Sequence, residues 1–128
     1  MRILAVDDER GYLGLLGDIL RGYGFDVILA EDGKQARELL DQEKVDIIIS
    51  DVHMPTLDGV RFHSYVREFT DMPDIPFILI SGMDDEKTRQ AVVDPKLDFF
   101  FSKTAPVQEM VALIESLNPI TKAKAERI

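Results

Sequence analysis

The chain has 128 residues, of which 45% are hydrophobic and 30% are charged, a balance that suits one compact globular domain. Its formal net charge of −9 argues against wholesale binding to nucleic acid or to an anionic membrane, and the absence of cysteine excludes disulfides, thiolate catalysis and Cys-ligated zinc. No apolar stretch approaches the roughly 20 residues that cross a bilayer, and Met1 leads straight into an apolar run without a signal peptide, so we expect a cytoplasmic protein.

Short apolar runs alternate with segments of helical periodicity, which is the pattern of repeated βα units around a parallel sheet. Strands are predicted at residues 2–6, 26–30, 46–50, 76–80 and 97–101. Several of these strands are apolar throughout, as expected when helices cover both faces of a sheet. The sequence therefore predicts an α/β protein.

A helix is predicted after each strand. The first helix carries Tyr12 and Leu16 at helical spacing and ends near Gly24. The others are predicted at residues 34–43, 58–69, 84–93 and 106–117. The fourth helix is predicted to stop at Asp94-Pro95, because the residue before a proline is disfavoured in helix.

Polar side chains stand where the predicted strands end. Asp7 and Asp8 follow the first strand, Asp51 the third, Ser81 the fourth and Lys103 the fifth. The carboxyl ends of parallel strands lie at one edge of a sheet, where open α/β sheets bind ligands. Taken singly, each residue has an ordinary alternative, because acidic pairs and serines often cap helices or turns and a lone lysine is usually a surface charge.

Together these residues indicate chemistry at a phosphoryl group. Clustered carboxylates raise one another's pKa and resist joint ionisation unless a cation lies beside them, so Asp7, Asp8 and Asp51 predict a divalent metal. A carboxylate nucleophile, a metal, a hydroxyl group and an ammonium group are the parts that phosphoryl transfer requires. Ser81 and Lys103 would supply the last two.

A longer motif extends this set: Asp7-Asp8, Asp51 followed by Met54-Pro55 and Gly59, Ser81, Phe100 and Lys103. In these residues the chain resembles the receiver domains of two-component response regulators. The resemblance implies a flavodoxin-like, CheY-like fold, with a doubly wound sheet of order 2-1-3-4-5 and five helices in three α/β/α layers. It assigns residues 1–117 to the receiver domain and leaves 118–128, after a helix predicted to end at Asn118-Pro119, as a C-terminal tail or the start of a linker.

By this resemblance, Asp51 accepts a phosphoryl group from the phosphohistidine of a sensor histidine kinase or a histidine phosphotransfer protein. The resemblance implies a Mg²⁺ ion, for which Mn²⁺ can substitute. Asp8, Asp51 and the main-chain carbonyl of His53 would bind this ion directly, and Asp7 through water. Lys103 would neutralise charge on the phosphoryl oxygens. Such a domain is a phosphoacceptor switch, not an enzyme with further turnover beyond its own phosphorylation and slow autodephosphorylation.

The resemblance also implies how the phosphoryl group is sensed. The Ser81 hydroxyl turns to a phosphoryl oxygen, and Phe100 rotates into the space that this movement frees. The face made by the fourth helix, fifth strand and fifth helix is remodelled for an unknown output protein or domain, and a phosphorylation-dependent homodimer is allowed. His53 and Met83 are expected to modulate loss of the phosphoryl group, with plain loop positions as the alternative. His63 is interpreted as a helix-face residue.

One departure from the family pattern concerns the bond after Lys103, where Thr104 replaces the usual proline. A cis bond at a non-proline residue costs roughly 2.5–4 kcal/mol, so a trans bond is expected.

Three other functions fit part of the pattern. A flavin-binding electron carrier would share the fold, but Asp7-Asp8-Glu9 would repel its phosphate. A Mg²⁺-dependent phosphohydrolase also uses a strand-end aspartate, yet it commonly needs a second acid where His53 stands and a cap that 128 residues hardly allow. A degenerate receiver, used only as a protein-interaction module, would lack part of the acidic or lysine set, which this chain retains.

Overall fold

The computed structural model describes residues 1–82 and 86–126, the side chains of 87 and 118–126 excepted. Five strands alternate with five helices along the chain. In order they are β1 (Arg2–Val6), α1 (Arg10–Gly22), β2 (Asp26–Ala30), α2 (Gly33–Gln42), β3 (Ile47–Asp51), α3 (Gly59–Phe69), β4 (Phe77–Ser81), α4 (Glu86–Ala91), β5 (Asp98–Ser102) and α5 (Val107–Glu126).

The strands form one parallel sheet in the order β2-β1-β3-β4-β5. The chain moves outward from β1 to β2 and then returns to the other side of β1, where β3 pairs with it. This is the flavodoxin-like, doubly wound arrangement that the resemblance implied, and that prediction is confirmed. The carboxyl ends of β1 and β3 lie on either side of the point where the strand order reverses, which is where such sheets bind ligands.

Helices cover both faces of the sheet, so the protein has three layers. On one face α1 and α5 pack against strand residues in a core that includes Ile3, Leu16, Ile49, Ile78 and Ile114. On the other face α2, α3 and α4 pack in a core that includes Leu4, Ala36, Ile48, Phe62 and Leu79. Successive strand residues point to opposite faces, which is why Ile48 and Ile49 belong to different cores.

The predicted strand positions differ from the structure in the second half of the sheet. β1 and β2 have the predicted bounds, whereas β3, β4 and β5 each begin and end one residue later, so Asp51, Ser81 and Ser102 are strand residues. Hydrogen bonding between the strands continues past the apolar runs, with the Val52 N–H donating to the Ile80 carbonyl at 3.0 Å. Backbone pairing does not require an apolar side chain, so the polar residues Asp51, Ser81 and Ser102 extend these strands beyond their predicted ends.

Side chains and one glycine fix the ends of the helices next to the sheet. Asp32 and Asp58 are the N-caps of α2 and α3, and the Asp58 side chain accepts the Arg61 N–H at 2.9 Å. Gly24 has a φ of 93°, which favours glycine, and its N–H donates to the Arg21 carbonyl just beyond α1. The expected end of the first helix at Gly24 is confirmed.

The last two helices differ most from the predicted bounds. α4 is described from Glu86 to Ala91 and ends two residues before its predicted end; the first two positions of its predicted range lie outside the described residues. The prediction that the last helix ends at Asn118-Pro119 is wrong, because α5 continues to Glu126. Pro119 removes one helical N–H, but the lysine, alanine and glutamate residues that follow favour helix. Among the described residues no helix has the length and apolar character needed to cross a bilayer.

Candidate functional site

Asp7 and Asp51 leave neighbouring strands side by side. The register pairs Val6 with Ser50, so the next residues of β1 and β3 are neighbours at the edge where the strands end, here called the carboxyl edge. The Asp7 N–H also donates to the Ala30 carbonyl at 3.1 Å, which continues the pairing of β1 with β2. Both carboxylates are therefore held by sheet backbone and not by a free loop.

Three carboxylates gather at this edge. Asp7 and Asp51 are buried and Asp8 is exposed, and each offers an oxygen such that these atoms all lie within 4.8 Å of one another. It is the single such cluster of potential metal ligands in the part of the chain that the structure describes. Asp8 is thus the member of the cluster that is in contact with solvent.

Lys103 brings a positive charge into this cluster. Its Nζ lies 2.8 Å from Asp7 Oδ2 and 3.5 Å from Asp51 Oδ2, and its side chain is 15% exposed. The Lys103 N–H donates to the Ser81 carbonyl at 2.9 Å, so the backbone that carries the lysine is tied to the end of β4. The lysine is thus fixed at both its main chain and its ammonium group.

The electrostatics of the cluster favour an added cation. The pKa of Asp51 is raised to about 6, chiefly by burial and then by the charge of Asp7, with the Lys103 ammonium opposing both. Burial also raises the pKa of Asp7, against the Lys103 ammonium and the Glu9 N–H. Burial acts to lower the pKa of Lys103, but the contact with Asp7 and the charge of Asp51 outweigh it and raise that pKa. One ammonium group therefore compensates the carboxylates only in part.

The donor atoms fit a magnesium ion. The buried Oδ2 of Asp7 forms an ion pair with Lys103 but no well-directed hydrogen bond, so this atom keeps capacity to accept from a further ligand or bound water. Carboxylate oxygens are the ligands that Mg²⁺ prefers, and the protein commonly supplies only one or two of them directly. Asp8 and Asp51 could bind such an ion directly and Asp7 through water.

The loop after β3 is packed closely against the residue that carries the central carboxylate. A side chain at Gly59 would overlap the Asp51 carbonyl oxygen and would come within 2.8 Å of the Val52 Cα. The Gly59 N–H donates to the Val52 carbonyl at 2.9 Å. Met54 is buried in the core between the sheet and helices α2, α3 and α4. The expectation of a close backbone approach at Gly59 is confirmed.

The remaining residues of the motif have the following positions. Ser81 is buried at the end of β4, and His53 is half-buried two residues beyond the end of β3. Phe100 of β5 pairs with Leu79 of β4. Its side chain is half-buried and packs against the core between the sheet and helices α3 and α4. Met83, named as a modulator of dephosphorylation, lies outside the described residues.

The bond after Lys103 is trans, as predicted, since no peptide bond in the described residues is cis. The Ser102 and Thr104 hydroxyl groups lie 2.7 Å apart in this turn, and the Ala105 N–H donates to the Ser102 carbonyl at 3.0 Å. The turn is therefore closed by hydrogen bonds of its own where the family pattern has a proline.

The sequence missed a second buried polar cluster, at the amino end of β5. His63 is not a simple helix-face residue, as interpreted above, but is buried with Nε2 2.7 Å from Asp98 Oδ1. Arg67 donates to the same oxygen at 2.6 Å, and Asp98 Oδ2 accepts the N–H groups of Val93 and Asp94 at 3.1 and 2.9 Å. The sequence signal for this cluster was the position of His63 next to Phe62 on the apolar side of α3. Its partner Asp98 lies 35 residues further along the chain, so the pair could not be recognised from local sequence.

Comparisons with known proteins agree with this geometry. A family model described as the response regulator receiver domain matches residues 3–115. The chain belongs to the response regulator receiver family. Response regulator MprA of Mycobacterium leprae is 35% identical over 122 residues, which are 95% of this chain and 53% of that protein. Response regulator MprA of Mycolicibacterium vanbaalenii is 32% identical over 117 residues, which are 91% of this chain and 50% of that protein.

Solved receiver structures share the fold. The signal receiver domain of an HD domain-containing protein from Pseudomonas fluorescens superposes with a TM-score of 0.86 at 25% identity, covering 95% of this chain and 97% of that one. Response regulator protein TrrA from Thermotoga maritima, in complex with Mg²⁺-BeF, gives a TM-score of 0.80 at 25% identity, covering 91% and 97%.

These findings establish the class of function. The chain is a receiver domain of two-component signal transduction, and the flavin-carrier and phosphohydrolase alternatives are not favoured. The complete set of Asp7, Asp8, Asp51 and Lys103 also speaks against a degenerate receiver. The chain spans about half the length of the curated relatives that it matches.

Proposed function

We propose that Asp51 is the phosphoacceptor of this receiver domain. The observation that carries the proposal is the position of its carboxylate, which is buried at the carboxyl edge between Asp7 and Lys103, with the Lys103 ammonium 3.5 Å from Asp51 Oδ2. A nucleophile needs charge compensation where the incoming group is most negative, and this residue has an ammonium and a set of metal ligands around it.

Phosphohistidine is the donor in the proposed transfer. An Asp51 carboxylate oxygen forms a bond to phosphorus, while the bond from phosphorus to the imidazole nitrogen of the donor breaks. The imidazole leaves with the electron pair of that bond, and solvent supplies its proton. Lys103 lies where it can bind the oxygens of the phosphoryl group during the transfer.

Asp8, Asp51 and the main-chain carbonyl of His53 are proposed to hold Mg²⁺ directly, and Asp7 through water, with Mn²⁺ as a substitute. The three clustered carboxylates support this assignment, as does the Mg²⁺-BeF complex of TrrA. When bound, the metal supplies positive charge to the attacking carboxylate and to the phosphoryl oxygens.

The output is proposed to follow from Ser81 and Phe100. Ser81 ends β4 next to Lys103, and Phe100 lies two residues before the end of β5 with part of its ring accessible. Movement of these side chains would change the face of α4, β5 and α5, where an output protein, an output domain or a second copy of the chain would bind in the phosphorylated state.

We further propose that the donor is a sensor histidine kinase or a histidine phosphotransfer protein and that the domain works in the cytoplasm. The domain acts as a switch and not as an enzyme with an external substrate, apart from its own phosphorylation and slow autodephosphorylation. His53 is proposed to influence the latter, because its half-buried side chain lies two residues beyond Asp51. The same role is proposed for Met83.

Intact mass measurement tests the phosphoacceptor. Incubation with acetyl phosphate and Mg²⁺ is expected to add one alkali-labile phosphoryl group to the wild-type protein and none to Asp51→Asn. Asp18→Asn serves as the matched control, because Asp18 is an exposed carboxylate on α1, and it is expected to be modified like the wild type. An adduct that persists in Asp51→Asn, or no adduct on the wild type, would contradict the proposal.

A further inference from the structure

Tyr12 of α1 contacts the ammonium group of Lys103. The Lys103 Nζ lies over the Tyr12 ring, 4.9 Å from the ring centroid, within the range of a cation–π interaction. The ring is half-buried and packs against the core between the sheet and α1 and α5. Its place is therefore fixed by apolar packing that does not depend on the lysine.

The ring completes the surroundings of an ammonium group that is largely removed from solvent. Asp7 and Asp51 lie at 2.8 and 3.5 Å from the Lys103 Nζ, and the side chain is 15% exposed. The carboxylates and the ring limit the positions open to a long, flexible side chain, whose rotamers are otherwise numerous.

The ring and the carboxylates differ in how they respond to a bound cation. A metal ion at Asp7, Asp8 and Asp51 would compete for the same carboxylate oxygens and would repel the ammonium group. A phenol ring whose pKa is raised by burial stays neutral and is no ligand for Mg²⁺. The contact with Tyr12 can therefore persist when the contacts with the carboxylates weaken.

We propose that Tyr12 is a positioning residue for Lys103, and that its ring face holds the ammonium group at the phosphoacceptor site. This inference rests on the proposed function of Asp51 and Lys103, and it assigns Tyr12 an action through Lys103 without contact with the phosphoryl group. The hydroxyl group of Tyr12 has no part in this role.

The first test measures the thermal midpoint of metal-free protein in a double-mutant cycle. Tyr12→Leu keeps an apolar side chain for the core but removes the ring face, and Lys103→Met removes the cation. We expect Tyr12→Leu to lower Tm by a few °C more in the Lys103 protein than in the Lys103→Met protein. Equal losses in the two backgrounds would overturn the proposal.

The second test measures the rate of phosphorylation by acetyl phosphate at saturating Mg²⁺. Tyr12→Leu is expected to react roughly three- to tenfold more slowly, the range that a partly desolvated cation–π contact allows. Tyr12→Phe should recover most of the rate, and Tyr12→Leu should cause no further loss in the Lys103→Met background. Phe25→Leu, a loss of a ring from the same core beside the opposite edge of the sheet, is the matched control and should react like the wild type.

The outcomes separate this inference from the proposed function. A wild-type protein that takes up no phosphoryl group would contradict the role of Asp51, while the thermal cycle would still test the Tyr12–Lys103 contact. A wild-type protein that reacts, together with a Tyr12→Leu variant that reacts equally fast, would overturn the role of Tyr12 alone. A Tyr12→Phe variant as slow as Tyr12→Leu would also overturn it, because the hydroxyl group would then be the active feature.

Discussion

Asp51 and Asp98 are both buried aspartates of the same sheet, and their surroundings shift their pKa values in opposite directions. Burial, joined by the charge of Asp7, raises the pKa of Asp51 to about 6. Burial acts in the same sense on Asp98, but hydrogen bonds from His63, the Asp94 N–H and Arg67 outweigh it and hold that pKa well below its usual range. Burial alone therefore does not decide the charge of a carboxylate.

The difference lies in the donors that each carboxylate receives. Asp98 has a histidine, an arginine and two main-chain N–H groups directed at its oxygens. Asp51 has the Lys103 ammonium at 3.5 Å and two further carboxylates beside it. The carboxylate at the amino end of β5 is neutralised by protein groups, whereas the one at the carboxyl edge retains a need for positive charge that a metal ion could supply.

The largest expected effect is the loss of stability in Asp98→Asn. The substitution leaves Arg67 and His63 without their anionic partner in a buried site, which costs about 3 kcal/mol of the free energy of unfolding. Urea unfolding at neutral pH measures this loss of unfolding free energy. Asp26→Asn, at an exposed carboxylate that pairs with Arg2, is the control and should cost less than 1 kcal/mol. A loss at Asp98 no greater than at Asp26 would remove the contrast with Asp51.

The pH dependence of the same variant sharpens the comparison. The pKa of Asp98 is lowered in the folded protein, so its contribution to stability is present above its unfolded pKa of about 4 and is lost as pH falls below that value. The difference in unfolding free energy between wild type and Asp98→Asn should therefore shrink progressively in acid. A difference that stays constant from pH 7 to pH 3 would show that lost packing, not lost charge, is the cause.

The opposite sign is expected for Asp51→Asn. A carboxylate whose pKa is raised to about 6 destabilises the fold when it ionises, so the cost begins above pH 4 and is complete above pH 6. Without divalent metal, Asp51→Asn should be more stable than the wild type at pH 7.5, by on the order of 2 kcal/mol. The gain should vanish near pH 4. If Asp51→Asn were less stable than the wild type at pH 7.5, the negative charge of Asp51 would be as well neutralised by its surroundings as that of Asp98.

Magnesium gives the smallest of these effects. A ligand that binds only the folded state at ten times its dissociation constant stabilises by about 1.4 kcal/mol. The Tm of the wild type and of Asp98→Asn should rise with Mg²⁺, since Asp98 lies at the other edge of the sheet. Asp51→Asn should respond much less because it lacks one proposed ligand. Equal shifts in all three proteins would place the ion elsewhere.

The sequence predicted the carboxyl edge well because each strand end is a local feature. An apolar run followed by a polar residue locates Asp51 or Ser81 to within one residue, and parallel topology then brings these residues to one edge. The acidic pair, the central aspartate and the lysine could each be recognised without knowing any distance between them.

The Asp98 cluster and the end of α5 could not be predicted in this way. Asp98 opens an apolar strand and reads as a strand boundary, and its contacts with His63 and Arg67 depend on how α3 packs on the sheet. The prediction of a helix end at Pro119 gave more weight to the cost of a proline in a helix than to the helix-forming residues that follow it. The first error came from contacts between residues far apart in the chain, and the second from the weight given to a single proline within a helix-forming segment.

The anchorage of the α4–β5 connection restricts how α4 can move. Asp98 binds the N–H groups of Val93 and Asp94, just beyond the end of α4 at Ala91. These hydrogen bonds tie the carboxyl end of α4 to the first residue of β5. We therefore expect any rearrangement of α4 to pivot near Val93, with slow amide exchange at Val93 and Asp94 throughout.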